Sequence, residues 1–245
     1  MRNTKFNLFL FTTILLLSSP FARAKGGGGN HSFGGSIIFT SPSQDDTDTL
    51  ISNANSAASG ITTKPMGQGY EFAAQYMYRF SGSMFALLFR PSYFTQKTLG
   101  KANSSDNKYN YELTGWTFFP MFRLIPLENS FLKFYMQIGV GYGRLTGKIR
   151  ENDSTIEFSG GNFGGVTGLG AEFCFFDDHC FNLEGNFRYL PFERNKATAV
   201  SATAGWASGS LTGPPASGEE VEMNNRDLGT TLSGVLATLS YTFYF

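Results

Sequence analysis

Histidine, cysteine and tryptophan are scarce: two of each in 245 residues, in a chain of which only 16 % is charged. Two histidines leave little for an imidazole-based metal centre or a hydrolytic triad, and no Gly-x-Ser-x-Gly elbow is present. Basic and acidic residues balance at 19 each, so the electrostatic footprint of a nucleic-acid binder is missing. Beyond the N-terminus there is no apolar run of about 18 residues, which excludes a bundle of membrane-spanning helices, and there are no heptads. Aromatic residues, by contrast, are abundant at 16 %, with 26 Phe and 11 Tyr.

At the N-terminus, Arg2 and Lys5 precede an apolar stretch from Phe6 to Leu17, then Ala22-Arg23-Ala24. A positive, an apolar and a small-residue region in that order predict a secretory signal over residues 1–24, cleaved after Ala24. No cysteine stands at the cleavage point, so a lipoprotein is not expected. Removing Arg2, Lys5 and Arg23 leaves 16 basic against 19 acidic residues, a mature net charge near −3. A Gly-rich segment, residues 25–32, leads into a single domain, 33–245.

That domain alternates with a period of two. Tyr70, Phe72, Ala74, Tyr76, Tyr78 and Phe80 share one face, opposite Glu71, Ala73, Gln75, Met77 and Arg79. Gly82-Ser83 suits a tight turn that sets Phe80 against Phe85 and Gln75 against Arg90. Further strands are read in Phe33–Phe39, Phe85–Tyr93, Tyr111–Phe122, Phe131–Gly143, Phe163–Phe175, Phe181–Tyr189 and Ser233–Phe245. The Tyr111–Phe122 segment is irregular, with apolar residues on both faces from Trp116 to Phe119. Between strands, long polar connections (41–67, 96–110, 144–162, 191–227) alternate with short ones (82–83, 124–130, 176–179).

The final strand places Leu239, Tyr241, Phe243 and the last residue, Phe245, on one face. An aromatic strand ending on Phe resembles the signature that bacterial assembly machinery reads on outer-membrane barrels. With eight strands and alternating connections, the mature chain is similar to the small outer-membrane barrels of the OmpA/OmpX type. The resemblance implies an all-β, eight-stranded antiparallel up-and-down transmembrane barrel in the bacterial outer membrane, with short periplasmic turns and long extracellular loops. Ten strands are the alternative, if residues 197–206 add a hairpin. A further wall-tethering domain is not expected after the barrel.

With apolar faces toward lipid, an interior charge network of Glu71, Glu112, Glu172 and Glu184 against Arg79, Arg90, Lys133 and Arg188 is expected. Four acids balancing four bases suggest a plugged interior, since an unpaired buried charge is costly. Cys174 and Cys180 are equidistant from Asp177 and share the inward parity, so they are expected to oppose each other and form a disulfide in an oxidising compartment. Glycines at 139, 141, 143, 164, 168 and 170 also face inward and leave room for long neighbours, Gly170 opposite Glu184 and Gly168 opposite Asn186.

The expected role is structural or surface-interacting, through the long loops, with no catalytic residues, cofactor or metal. Expected partners are outer-membrane lipid and lipopolysaccharide, the barrel-assembly machinery during biogenesis, and an extracellular ligand of the loops. The alternatives are a conduit for small apolar molecules, supported if Trp116, Phe118 and Phe122 point inward, a lipid A-modifying enzyme, and a soluble lipocalin-like carrier. His31 and His179 both map to the short-turn side, away from outer-leaflet substrate.

Overall fold

A computed structural model describes residues 30–57, 61–102, 108–176, 178–201 and 205–245. The expected signal segment and most of the Gly-rich segment lie outside the described residues. Eight strands build the barrel: β1 (His31–Pro42), β2 (Gly69–Arg79), β3 (Phe85–Ala102), β4 (Lys108–Glu128), β5 (Leu132–Glu151), β6 (Ser154–Phe176), β7 (His179–Tyr189) and β8 (Gly234–Tyr244). Each pairs antiparallel with its neighbour in sequence, and β1 also pairs with β8, Ile37 opposite Leu239, which closes the ring. Closure removes both free edges and satisfies the backbone inside the sheet, as an element crossing lipid requires.

Alternation decides which side each residue takes. Phe72, Val140, Phe163 and Leu239 point outward, 52–75 % exposed, while Glu71, Gln75, Arg90 and Glu184 are buried within. An exposed apolar band on this scale is stable only against hydrocarbon, so the barrel is a transmembrane one. A soluble lipocalin-like carrier is thereby corrected: its ligand cavity would need the apolar face inside, and that face looks out.

Between β2 and β3, the backbone N–H of Phe80 donates to Phe85 at 3.1 Å, and Ala73 pairs with Ser92 and Tyr76 with Phe89. Gly82 takes a positive φ of 65° in this turn, a conformation glycine adopts without steric cost.

Strands β3 to β6 run 18, 21, 20 and 23 residues, against 9–11 or so needed for a crossing. The segments expected as loops at 96–110 and 144–162 are therefore largely strand, two tall hairpins rising beyond the membrane. Outward residues mark the boundary. Tyr93, Trp116 and Arg144 form one cross-strand row, Thr95, Thr114, Thr146 and Ser159 the next, and Lys97, Glu112, Lys148 and Glu157 the one above. Aromatic, hydroxyl and alternating charge follow the passage from acyl chain to water.

Above the belt the remaining connections fold into a cap. Helix α1 (Asp45–Ala57) carries Asp45, Asp46 and Asp48 in its first turn, where acids favour the helix dipole, and buries Leu50, Ile51 and Ala54. These pack with Leu145, Ile149, Ile156 and Phe158 from the hairpins and with Trp206, Val221 and Met223 from the last connection in one apolar core. A short strand, Lys196–Ser201, pairs with the start of β6 rather than entering the ring, so ten strands do not close the barrel.

Candidate functional site

The barrel interior is organised around Glu184 of β7, whose side chain is fully buried. Arg90 of β3 donates to both its oxygens, Nη2 to Oε1 at 2.7 Å and Nη1 to Oε2 at 2.8 Å. Arg123 of β4 adds Nη2 to Oε1 at 3.0 Å, Tyr135 its hydroxyl at 2.9 Å, and Gln137 Nε2 and Asn186 Nδ2 reach Oε2 at 2.9 and 3.1 Å. A buried carboxylate is tolerable only when so satisfied. The guanidinium of Arg123 also lies 3.8 Å from the centre of the Tyr135 ring.

Other pairs fill the levels on either side. Toward the short-turn rim, Lys133 Nζ meets Glu172 Oε1 at 2.8 Å, Tyr244 donates its hydroxyl to the same oxygen at 2.6 Å, and Lys133 sits 4.2 Å above the Tyr244 ring. At the rim itself Arg79 and Glu128 form a bidentate pair at 2.7 and 2.6 Å. Toward the cap, Arg188 engages Glu71 at 2.5 and 3.1 Å, Ser92 donates to Glu71 at 2.9 Å, and Arg188 Nε donates to the Leu232 carbonyl at 2.7 Å. Gly170 lies opposite both Glu184 and Tyr135; a Cβ there would stand 2.4 Å from the Tyr135 ring.

Glu71, Arg79, Arg90, Lys133, Glu172, Glu184 and Arg188 are thus brought into the interior, whereas Glu112 is not. It points outward above the belt, 3.3 Å from Lys97, because Tyr111 and Leu113 turn into the cap core and leave the intervening residue facing water. Sequence reasoning missed Arg123 and Glu128. Arg123 shares its parity with Phe119 and Met121, which are buried, while Trp116, Phe118 and Phe122 are exposed outward at 47, 41 and 42 %. Those three aromatics therefore do not line an inner path. Glu128 follows a register shift between Leu124 and Leu127, which carries the strand past the expected turn.

Cys174 and Cys180 are opposed and disulfide-bonded, their Cα atoms 4.1 Å apart. Asp177, between them, lies outside the described residues. Leu239, Tyr241, Phe243 and Phe245 all face outward, and Phe245 stacks on His31 with ring centres 5.9 Å apart. His31 Nδ1 contacts the Tyr76 hydroxyl at 2.7 Å, and His179 Nδ1 contacts the hydroxyl of Tyr241. Both histidines are thereby engaged at the short-turn rim.

The acids of α1 are used within the cap: Asp46 accepts from Arg226 and from the Gly229 N–H, and Asp48 from the Met66 N–H at 2.6 Å. Trp206 is buried in the cap core, its Nε1 donating to the Gly213 carbonyl at 3.3 Å.

No family model matches the chain, and no curated protein does. Among solved structures it is similar to the outer membrane protein OprG from Pseudomonas aeruginosa, at 11 % identity and a TM-score of 0.54, over 91 % of this chain and 99 % of that one. It also aligns with Ail, the attachment invasion locus protein of Yersinia pestis, at 10 % identity and a TM-score of 0.38, over 88 % and 98 % of the two chains. The fold, carried by the closed ring and the first of these likenesses, is that of the small eight-stranded bacterial outer-membrane barrels.

Proposed function

We propose that the protein is an integral component of the bacterial outer membrane with a structural and surface-interacting role, a sealed barrel that holds a folded cap outside the cell. The observation that carries this reading is the filled lumen: salt-bridged layers from Glu128 to Glu71, then the apolar core of the cap above them. Eight strands enclose just enough room for side chains to fill. With the short turns periplasmic, the tall hairpins, α1 and the last connection stand outside the cell, where a rigid scaffold presents loops for recognition. Lipid and lipopolysaccharide surround the belt, the terminal aromatic face addresses the assembly machinery, and an extracellular ligand would meet the cap.

Planar-bilayer recording of the refolded chain tests the seal: no large, steady conductance is expected, and one would overturn the reading. Comparing a strain lacking the gene with one expressing a barrel trimmed of residues 193–227 then separates the two roles. Loss of surface adhesion in both assigns the role to the cap; altered envelope permeability in the first alone assigns it to the barrel.

One observation favours a second reading, lateral passage of small apolar molecules. Pro91 and Pro120 stand mid-strand on neighbouring β3 and β4, and the ladder is interrupted beside each, between Ala73 and Tyr76 on β2 and between Gly139 and Tyr142 on β5. Proline has no N–H to give, so both seams of the β3–β4 hairpin are weakened within the belt. An apolar groove of about 370 Å³ lies outside Pro120, lined among others by Leu87, Phe89, Phe122 and Val140. Uptake of a small apolar probe into vesicles, lost on cross-linking across the β4–β5 seam, would support passage; equal uptake by cross-linked and native barrels would exclude it.

A further inference from the structure

The lumen holds one cation too many. Among the described residues of the membrane-spanning interior, Arg79, Arg90, Arg123, Lys133 and Arg188 face only Glu71, Glu128, Glu172 and Glu184. Three of the pairs are one to one. The excess lies at Glu184, which alone serves both Arg90 and Arg123. These two guanidiniums are 3–6 % exposed in side chain, so the additional charge is not screened by bulk water.

A cavity of about 30 Å³ adjoins the excess. Its polar lining comes from Arg90, Ser92, Thr117, Asn186, Arg188 and Thr238, its apolar lining includes Phe119 and Leu236, and no carboxylate borders it. Within Arg90, Nη1 and Nη2 are consumed by Glu184 and Gln75, but Nε is buried without a partner. An orphaned, charged donor of this kind costs more than a neutral one, and buried polar groups are as a rule satisfied. The volume suits one small ion or a water or two and admits no organic anion.

We infer that this cavity is a binding site for one small monovalent anion of the halide class, held by Arg90 Nε and balancing the fifth cation of the lumen. A water would satisfy the donor but leave the charge; a halide does both. The nearest acids, Glu71 and Glu184, stand behind the lining and are each paired with a guanidinium, so the anion would meet Arg90 Nε among the neutral hydroxyls of Ser92, Thr117 and Thr238. The ion is trapped as the barrel closes, a structural counter-ion rather than a permeating one.

The test is to refold the full mature chain into detergent micelles in potassium chloride, bromide or gluconate at equal ionic strength and read the midpoint of the heat-induced gel shift. A saturable rise of the midpoint with chloride and bromide, absent with gluconate, is expected. Arg123→Met removes the excess charge while leaving Arg90 paired one to one with Glu184, and the halide response should vanish in it. Should that variant fail to fold, crystals of the native barrel grown in bromide give a direct reading: an anomalous peak within hydrogen-bond distance of Arg90 Nε is expected. Equal midpoints of the native barrel in all three salts, or water at that position with no anomalous signal, would overturn the site.

Discussion

Glu151 Oε2 accepts the backbone N–H of Ser208 at 2.8 Å, tying the tip of β5 to the last long connection. The other oxygen accepts the Tyr111 hydroxyl at 3.0 Å, and the residue has no exposed surface. Burial pushes its carboxyl above the usual value of 4.5, against the opposing pull of these donors. Because the folded pKa is raised, the charged form is the penalised one: its cost is fully present above the folded pKa and disappears as pH falls toward 4.5. The cap should therefore become more resistant to opening on mild acidification. Amide exchange at Ser208 should slow as pH is lowered through this window, after correction for intrinsic rates. Glu151→Gln should flatten the dependence.

Removing the acceptor at the centre of the lumen should be far more damaging than altering the belt. Glu184→Ala leaves Arg90 and Arg123 without their shared partner, a loss of about 3–5 kcal/mol by analogy with broken buried pairs. Leu183→Ala, one residue away but facing lipid, should cost less. Urea unfolding in micelles, followed by tryptophan fluorescence, measures both.

Gly170 should not tolerate a side chain. An added methyl would stand 2.4 Å from the Tyr135 ring, which is itself fixed by Glu184 and by Arg123, so Gly170→Ala is expected to cost about 1–3 kcal/mol. In a double-mutant cycle with Tyr135→Ala, most of that penalty should disappear, because the clashing atoms are gone. Additive losses would place the strain elsewhere.

The disulfide should contribute to stability alone. Cys174 and Cys180 are six residues apart, and a loop that short gives about 2 kcal/mol of stabilisation. Cys174→Ser with Cys180→Ser should lower the unfolding midpoint accordingly while the barrel still closes and inserts. Intact-mass measurement without reductant checks the bond itself: two free thiols in the native protein would contradict it.

Most of the ring was legible because, within lipid, one rule holds: the greasy parity faces out. That rule put Arg90 and Glu184 on the inner face, and the Gly82-Ser83 turn set Gln75 beside Arg90, whose Nη2 donates to its Oε1 at 3.1 Å. It failed for Glu112 because the rule inverts where a strand leaves the bilayer. Above Thr114, apolar Tyr111 and Leu113 turn inward to the cap, and the charge between them faces water. The mixed stretch from Trp116 to Phe119 keeps its parity, Phe119 inward with Arg123 four residues on, but with apolar residues on both faces the inner side could not be followed through it. Helix α1 was invisible for a different reason: of its buried positions, Asp46 and Thr47 are polar, and the apolar ones, Leu50, Ile51 and Ala54, are too few to give a clear helical period.

The pairing of β1 with β8 joins Phe33 to Phe243 and Thr40 to Leu236, partners separated by nearly the whole domain. Such a seam cannot zip until the last strand has been synthesised and delivered. Until then two ribbon margins stand bare, each able to recruit a stray strand from another polypeptide.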